Sequence, residues 1–262
     1  MLDFLVELYE TNIGYSAMNT ARCALSTIIM LDNVTIGSHP LVIRFLKGVY
    51  NMRPPLAKHS RTWDVSIVLR YLKSLSPARH LSLKSLTFKV VTLLALVSAQ
   101  RAQTLHILKC TNMTISKDLV VFHIDSTVKH SRPGKSLQPI ELKAYHRDKR
   151  LCIVHYLNYY LRRTSPIRGN HSKLFISFHR PYKPVSKDTI SRWIKLTLHE
   201  AGVPQHYTAH STRSASTSAV AQQLPIDVIL KTAQWSNQRS FDLFYNKPVE
   251  SDFATTLLQH AN

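Results

Sequence analysis

Residues 210–245 read HSTRSASTSAVAQQLPIDVILKTAQWSNQRSFDLFY, and the rest of the chain takes its meaning from them. His210 and Arg213 are spaced i,i+3, so on a helix they share a face and converge on one ligand. Thr208 is the expected N-cap. It would place both residues in the first helical turns, where orphan amides and the dipole favour an anion such as a phosphate. A small-residue helix follows, then a break at Leu224-Pro225, a short second helix to Ala233, and Trp235. Tyr245 stands ten residues past Trp235, behind Phe241 and Phe244.

Working upstream, Ser186 to Ala201 is the cleanest helix. Ser186 caps it, Ile190, Trp193, Ile194, Thr197 and Leu198 form its apolar stripe, and Gly202 with Pro204 ends it. Its opposite face carries Lys187, Arg192, Lys195 and His199, and is either solvated or turned toward a nucleic-acid groove. Arg150 to Arg163 is a further amphipathic helix. Val120 to Ile124 and Leu137 to Leu142 flank the polar turn DSTVKHSRPGKS and, with Asn112 to Ser116, predict a small antiparallel sheet. That turn holds Lys129, Arg132 and Lys135. Leu83 to Val97 is mostly apolar, as expected of a buried central helix, and Arg101 emerges at its end. An arginine there is either a favourable C-terminal charge or a functional group.

Residues 1–51 read as three helices, with stripes at Phe4, Leu5, Leu8 and Tyr9, then Met18, Ala21, Leu25, Ile28 and Ile29, then Leu41, Val42, Phe45, Leu46 and Val49. Residues 52–62 interrupt helicity at Pro54-Pro55 and bring in Arg53, Lys58 and Arg61, so they read as a basic linker. Residues 63–262 form the larger domain. The fold class expected is mainly α with a small antiparallel β-sheet (α+β).

Hydrophobic residues make up 44% of the 262 and charged residues 19%, which indicates a folded chain rather than a disordered one. The formal charge of +19 implies a polyanionic partner, because neutralising phosphates releases counterions. Three scattered cysteines, without CxxC or metal-ligand spacing, read as free thiols in a reducing compartment. The acidic start MLDFLVELYE lacks a basic n-region, so no signal peptide is expected, and the longest apolar run is too short to cross a membrane.

HxxR, a Trp two dozen residues on and a Tyr ten later, with an earlier arginine and a hairpin lysine, resemble the tyrosine recombinases of the phage-integrase superfamily. Runs such as RPPLAKHSRTWDVSIVLRYL, LLALVSAQRAQTLHIL and FDLFYNKPV look most like recombinases of DIRS-type retrotransposons. The resemblance implies a helical core-binding-like domain and a catalytic domain. It implies Arg101, Lys129, His210, Arg213, Trp235 and Tyr245 as catalytic residues, and DNA cut and rejoined through a 3′-phosphotyrosyl link without metal or cofactor. The expected partner is double-stranded DNA, with four protomers at synapsis, no membrane and no small-molecule substrate. Arg53, Lys58, Arg61, Arg132, Lys135, Lys187, Arg192 and Lys195 are the candidate DNA contacts. A C-terminal stripe of Phe253, Leu257 and Leu258, beyond a helix ended by Pro248, docks on its own domain or on a neighbour. The element's setting would be integration into a genome, in the nucleus of a eukaryotic host or the cytoplasm of another. Three departures stand out: Thr104 in place of an acidic residue, Gln234 in place of a glycine, and a Trp-to-Tyr spacing of ten rather than nine. A catalytically silent DNA-binding relic and a type IB topoisomerase-like enzyme are the other readings.

Overall fold

The structure, a computed structural model, describes residues 1–54, 60–125 and 138–249. Lys58, the hairpin residues Lys129, Arg132 and Lys135, and the stripe Phe253, Leu257 and Leu258 lie outside the described residues. The chain divides into two units, Met1–His59 and Ser60–Asn262.

In the first unit α1 (Leu2–Glu10), α2 (Tyr15–Leu25) and α3 (Pro40–Met52) close on Leu5, Met18, Val42, Leu46 and Val49. Pro40 opens α3 because its missing N–H costs nothing at a helix start, and His39 caps that turn. The second helix is shorter than its stripe predicts: Ile28 and Ile29 are exposed and lie beyond its end. Asp32 and Asn33 both take positive φ and turn the chain into a hairpin of β1 (Met30–Leu31) and β2 (Val34–Thr35), which pulls the two isoleucines off the helix. Phe4 and Leu41 are also exposed, since each helix buries only a narrow stripe. Arg53 belongs to this packing rather than to a free basic linker. Its guanidinium stacks 3.8 Å over the Tyr9 ring and Nη1 donates to the Tyr9 carbonyl at 2.8 Å.

The second unit contains α4 (Val65–Ser74), α5 (Leu83–Ser98), α6 (Ala102–Ile107), β3 (Met113–Ile115), β4 (Leu119–Phe122), β5 (Ile140–Lys143), α7 (Ile153–Thr164), α8 (Lys187–Glu200), α9 (Ser211–Val220), α10 (Ile226–Ala233) and α11 (Gln238–Phe244). The apolar run of α5 is buried almost throughout, with α7, α8 and α9 packed around it. Lys89 lies fully buried in its middle. Its Nζ donates to the Leu75 carbonyl at 2.7 Å and lies 3.6 Å over the Tyr156 ring. Burial lowers the Lys89 pKa to about 7, against the opposing pull of Asp148.

Strands β3, β4 and β5 form an antiparallel sheet in that order, with Phe122 opposite both Met113 and Ile140. Val120, Phe122, Ile140 and Leu142 turn to the core by the two-residue alternation of a half-buried sheet. On α8 the Ser186 hydroxyl accepts from the Thr189 amide, and the five stripe residues are buried as their spacing predicts. His199 departs from the solvated face expected for it: it is half-buried, and its Nε2 has no hydrogen-bond partner.

Candidate active site

Helix α9 begins at Ser211, with His210 at its N-cap in right-handed geometry and no side-chain cap. Thr208 therefore does not cap it as the sequence suggests. The Thr208 carbonyl instead accepts from the amide of Ser211 at 2.9 Å and from its hydroxyl at 2.7 Å. The same hydroxyl accepts from the indole of buried Trp63 at 2.8 Å. A tertiary contact, not a local cap, thus fixes where α9 starts.

Arg213 is 1% exposed and lies where two helices end. Helix α5 stops at Ala99 and α10 at Gln234, both left-handed C-caps with φ of 50° and 54°. The Arg213 Nη1 donates to the Ala99 carbonyl at 3.0 Å, and Nη2 donates to the Ala233 carbonyl. A cation at two helix C-termini meets two negative dipole ends at once. Its guanidinium also lies 4.4 Å from the Trp235 ring centroid and 5.5 Å from that of Tyr245. Burial, and secondarily the charge of Arg101, lower its pKa to about 9, while Tyr245 opposes the shift. The Arg213 Nε and the Trp235 Nε1 are buried donors without acceptors. Buried donors are seldom left unpaired, which sets these two atoms apart from the rest of the packing around Arg213.

After the left-handed turn at Ala99 the chain passes through buried Gln100, whose side chain donates to the Thr232 carbonyl at 2.9 Å. Arg101 then takes the N-cap position of α6, so it leaves α5 rather than capping it. Its Nη2 donates to the Tyr245 hydroxyl at 2.9 Å. The same hydroxyl lies 3.4 Å from the His210 Nε2. The Tyr245 ring stacks against Trp235 with centroids 4.5 Å apart, and the tyrosine is only 8% exposed. The structure thus gathers Arg101, His210, Arg213, Trp235 and Tyr245; Lys129 is outside the described residues. Thr104, where an acidic residue was expected, is buried in α6.

Helix α11 starts under an Asn237 cap and ends at Phe244, so Pro248 is not what stops it. The Tyr245 carbonyl leaves the helix to accept from the hydroxyls of Ser214 at 2.9 Å and Ser218 at 2.7 Å. Farther on, the Pro248 carbonyl accepts from the Thr62 amide at 2.9 Å, and Val249 forms a parallel bridge with Thr62. The sequence reading missed both serines. Their i,i+4 spacing, beginning one residue after Arg213, was the available signal.

Of the proposed DNA contacts, Lys187, Arg192 and Lys195 are exposed on α8, with Lys187 3.4 Å from Asp188. Arg61 is exposed, and its carbonyl accepts from the Tyr207 hydroxyl at 3.3 Å. Gln234 reaches across to the sheet, where its Nε2 donates to the Gln138 carbonyl at 3.0 Å, just before β5. Among the described residues no group of His, Cys, Asp and Glu is arranged to hold a metal ion, and no helix is long and apolar enough to cross a membrane.

Residues 70–250 match the family model described as the phage integrase family. The chain belongs to that family. No curated protein matches it. Among solved structures it is similar to the XerH site-specific recombinase bound to a palindromic difH substrate, with a TM-score of 0.61 and 12% identity over 99% of this chain and 69% of that one. The Tn1549 transposon integrase in complex with transposon right end DNA gives a TM-score of 0.61 and 11% identity over 99% of this chain and 82% of that one. A lambda integrase dimer bound to a COC′ core site gives 0.52 and 15% over 96% and 80%. At these identities the likeness establishes the fold: mainly helical with small antiparallel sheets, as in the catalytic domains of tyrosine recombinases.

Proposed function

We propose that this phage integrase family member cuts and rejoins double-stranded DNA, with Tyr245 as the nucleophile. One observation carries the reading: the Tyr245 hydroxyl lies 2.9 Å from Arg101 and 3.4 Å from His210, beside two buried donors, Arg213 Nε and Trp235 Nε1, that lack acceptors.

A phenol ionises near about pH 10 and is a weak nucleophile at neutral pH. The Arg101 guanidinium donates to the Tyr245 oxygen and holds it in place, and His210 receives the proton or hydrogen-bonds a phosphate oxygen. The Tyr245 oxygen then bonds to phosphorus as the 5′-oxygen departs, leaving a 3′-phosphotyrosyl link. Arg101 and Arg213 stabilise the extra negative charge of the pentavalent transition state. In this proposal Lys129 protonates the leaving 5′-oxygen, a role that rests on the family resemblance. The 5′-hydroxyl of a partner strand reverses the step, and the energy kept in the phosphotyrosyl bond removes any need for ATP or metal.

The same proposal includes assembly as a tetramer on DNA and integration of a mobile element as the setting. The DNA-bound integrase and recombinase named among the similar structures support the DNA partner. Thr104 favours a second reading, a catalytically silent DNA-binding protein. A pool of random-sequence duplexes, each nicked in one strand, separates the two. The enzyme gives an SDS-stable protein–DNA adduct that survives EDTA and disappears in Tyr245→Phe, whereas the silent protein binds DNA without any adduct.

A further inference from the structure

We propose that Ser214 and Ser218 are positioning residues that set the Tyr245 hydroxyl in its attacking place by holding the backbone of the tyrosine. The inference rests on Tyr245 being the nucleophile.

Helix α11 ends one residue before Tyr245, so the tyrosine carbonyl has no following turn of helix to bond. Both serine hydroxyls fill that role, at 2.9 Å and 2.7 Å, and together they use both lone pairs of one carbonyl. The Ser218 oxygen also accepts from the Lys247 amide at 3.0 Å, so one hydroxyl spans the backbone on both sides of Asn246. The backbone amides of Tyr245 and Asn246 both donate to the Phe241 carbonyl, each at 2.8 Å, and so tie this stretch to the end of α11. The serines, by contrast, fasten the tyrosine to α9. That helix also carries Arg213, whose guanidinium faces the Tyr245 ring, and it begins immediately after His210.

One helix therefore fixes the backbone, the ring and a hydroxyl partner of a single tyrosine. Displacing an attacking oxygen by about 1 Å costs on the order of 100-fold in rate. An alanine at either serine suits a helix; at 214 it removes the tie on the carbonyl, and at 218 it removes that tie and the acceptor of the Lys247 amide.

The test is single-turnover adduct formation by the full chain on the nicked random-sequence duplex pool, with the wild type, Ser214→Ala, Ser218→Ala, the double variant and Ser218→Thr. Each alanine should slow adduct formation roughly tenfold and the pair about 100-fold. The half-saturating DNA concentration should stay unchanged, melting should move by only a few degrees, and Ser218→Thr should restore most of the rate by returning the hydroxyl. A double variant as fast as wild type overturns the proposal, as does a rate loss that tracks melting temperature and DNA affinity alike. Absence of adduct from the wild type overturns the nucleophile reading and the proposal with it; normal adduct from the double variant overturns the positioning role alone.

Discussion

The Arg213 guanidinium reaches back 114 positions to donate through Nη1 to the Ala99 carbonyl at 3.0 Å, at the left-handed end of α5. Its Nη2 takes the Ala233 carbonyl at the end of α10. The residue that faces the candidate nucleophile therefore also joins two helix termini, and its substitution has two separable consequences. Arg213→Ala leaves two buried carbonyls short of a partner and should lower the unfolding free energy by about 2–4 kcal/mol. Denaturant melts would measure that loss. In the fraction that remains folded, adduct formation should fall far more than DNA affinity, because the guanidinium bond strengthens as transition-state charge develops.

Lys89 carries a prediction about pH. The unfolded chain holds this proton up to the ordinary value of 10.5, while the folded protein releases it at about 7. Between those values the unfolded state binds more protons, so stability rises with pH across that window, and the full cost of the buried charge is present below it. Lys89→Met should abolish this rise and be more stable than wild type at pH 6. The Leu75 carbonyl keeps the Tyr156 hydroxyl, 3.3 Å away, as a partner. Melts at pH 6, 7.5 and 9 would show the contrast, and an unchanged pH profile in the variant would refute it.

Gln234 adopts φ of 54°, where a side chain costs about 1 kcal/mol relative to glycine. The bond from its Nε2 to the Gln138 carbonyl offsets some of that strain. Gln234→Ala keeps the strain and loses the bond, whereas Gln234→Gly loses both. The glycine variant should therefore be more stable than the alanine variant by about 1 kcal/mol in thermal melts, with wild type near the glycine variant.

Exposed Lys187, Arg192 and Lys195 on α8 make a prediction about affinity. If they meet DNA phosphates, the log–log salt slope of duplex binding should lose about 0.9 for each contact when they are changed to glutamine. Fluorescence anisotropy on one duplex across a salt series measures that slope. Equal slopes for wild type and the triple variant would place the DNA on another face.

Legibility in the sequence divided along the boundary between local and tertiary causes. The stripe and ends of α8 could be read because Ser186 and Gly202 act on their own neighbourhood, and Gly202 takes the φ of 98° that only a glycine adopts freely. The buried run of α5 was likewise signalled, by a mostly apolar helix, while the set Arg101, His210, Arg213, Trp235 and Tyr245 was what the resemblance to tyrosine recombinases implied. The start of α9 was misread because Trp63, 148 positions away, bonds Ser211 and overrides the local cap offered by Thr208. Arg53 was read as a linker charge because nothing nearby announces its stacking on Tyr9, 44 positions back. Ile28 and Ile29 suit a helix by hydrophobicity, and the positive-φ pair Asp32 and Asn33 removes them from it. The two serines on the Tyr245 carbonyl were hidden for a related reason. A small polar residue on a helix looks the same whether it faces solvent or a neighbouring backbone.

The central claim is that Tyr245, among the chain's 11 tyrosines, bonds to phosphorus. The direct measurement is to trap wild-type protein on the nicked duplex pool in EDTA, digest the denatured adduct with nuclease and trypsin, and locate the nucleotide-bearing tyrosine by mass spectrometry. The account predicts a single modified peptide, with the nucleotide on Tyr245. A nucleotide on any other residue, or a trapped complex carrying no phosphotyrosyl peptide, would contradict it.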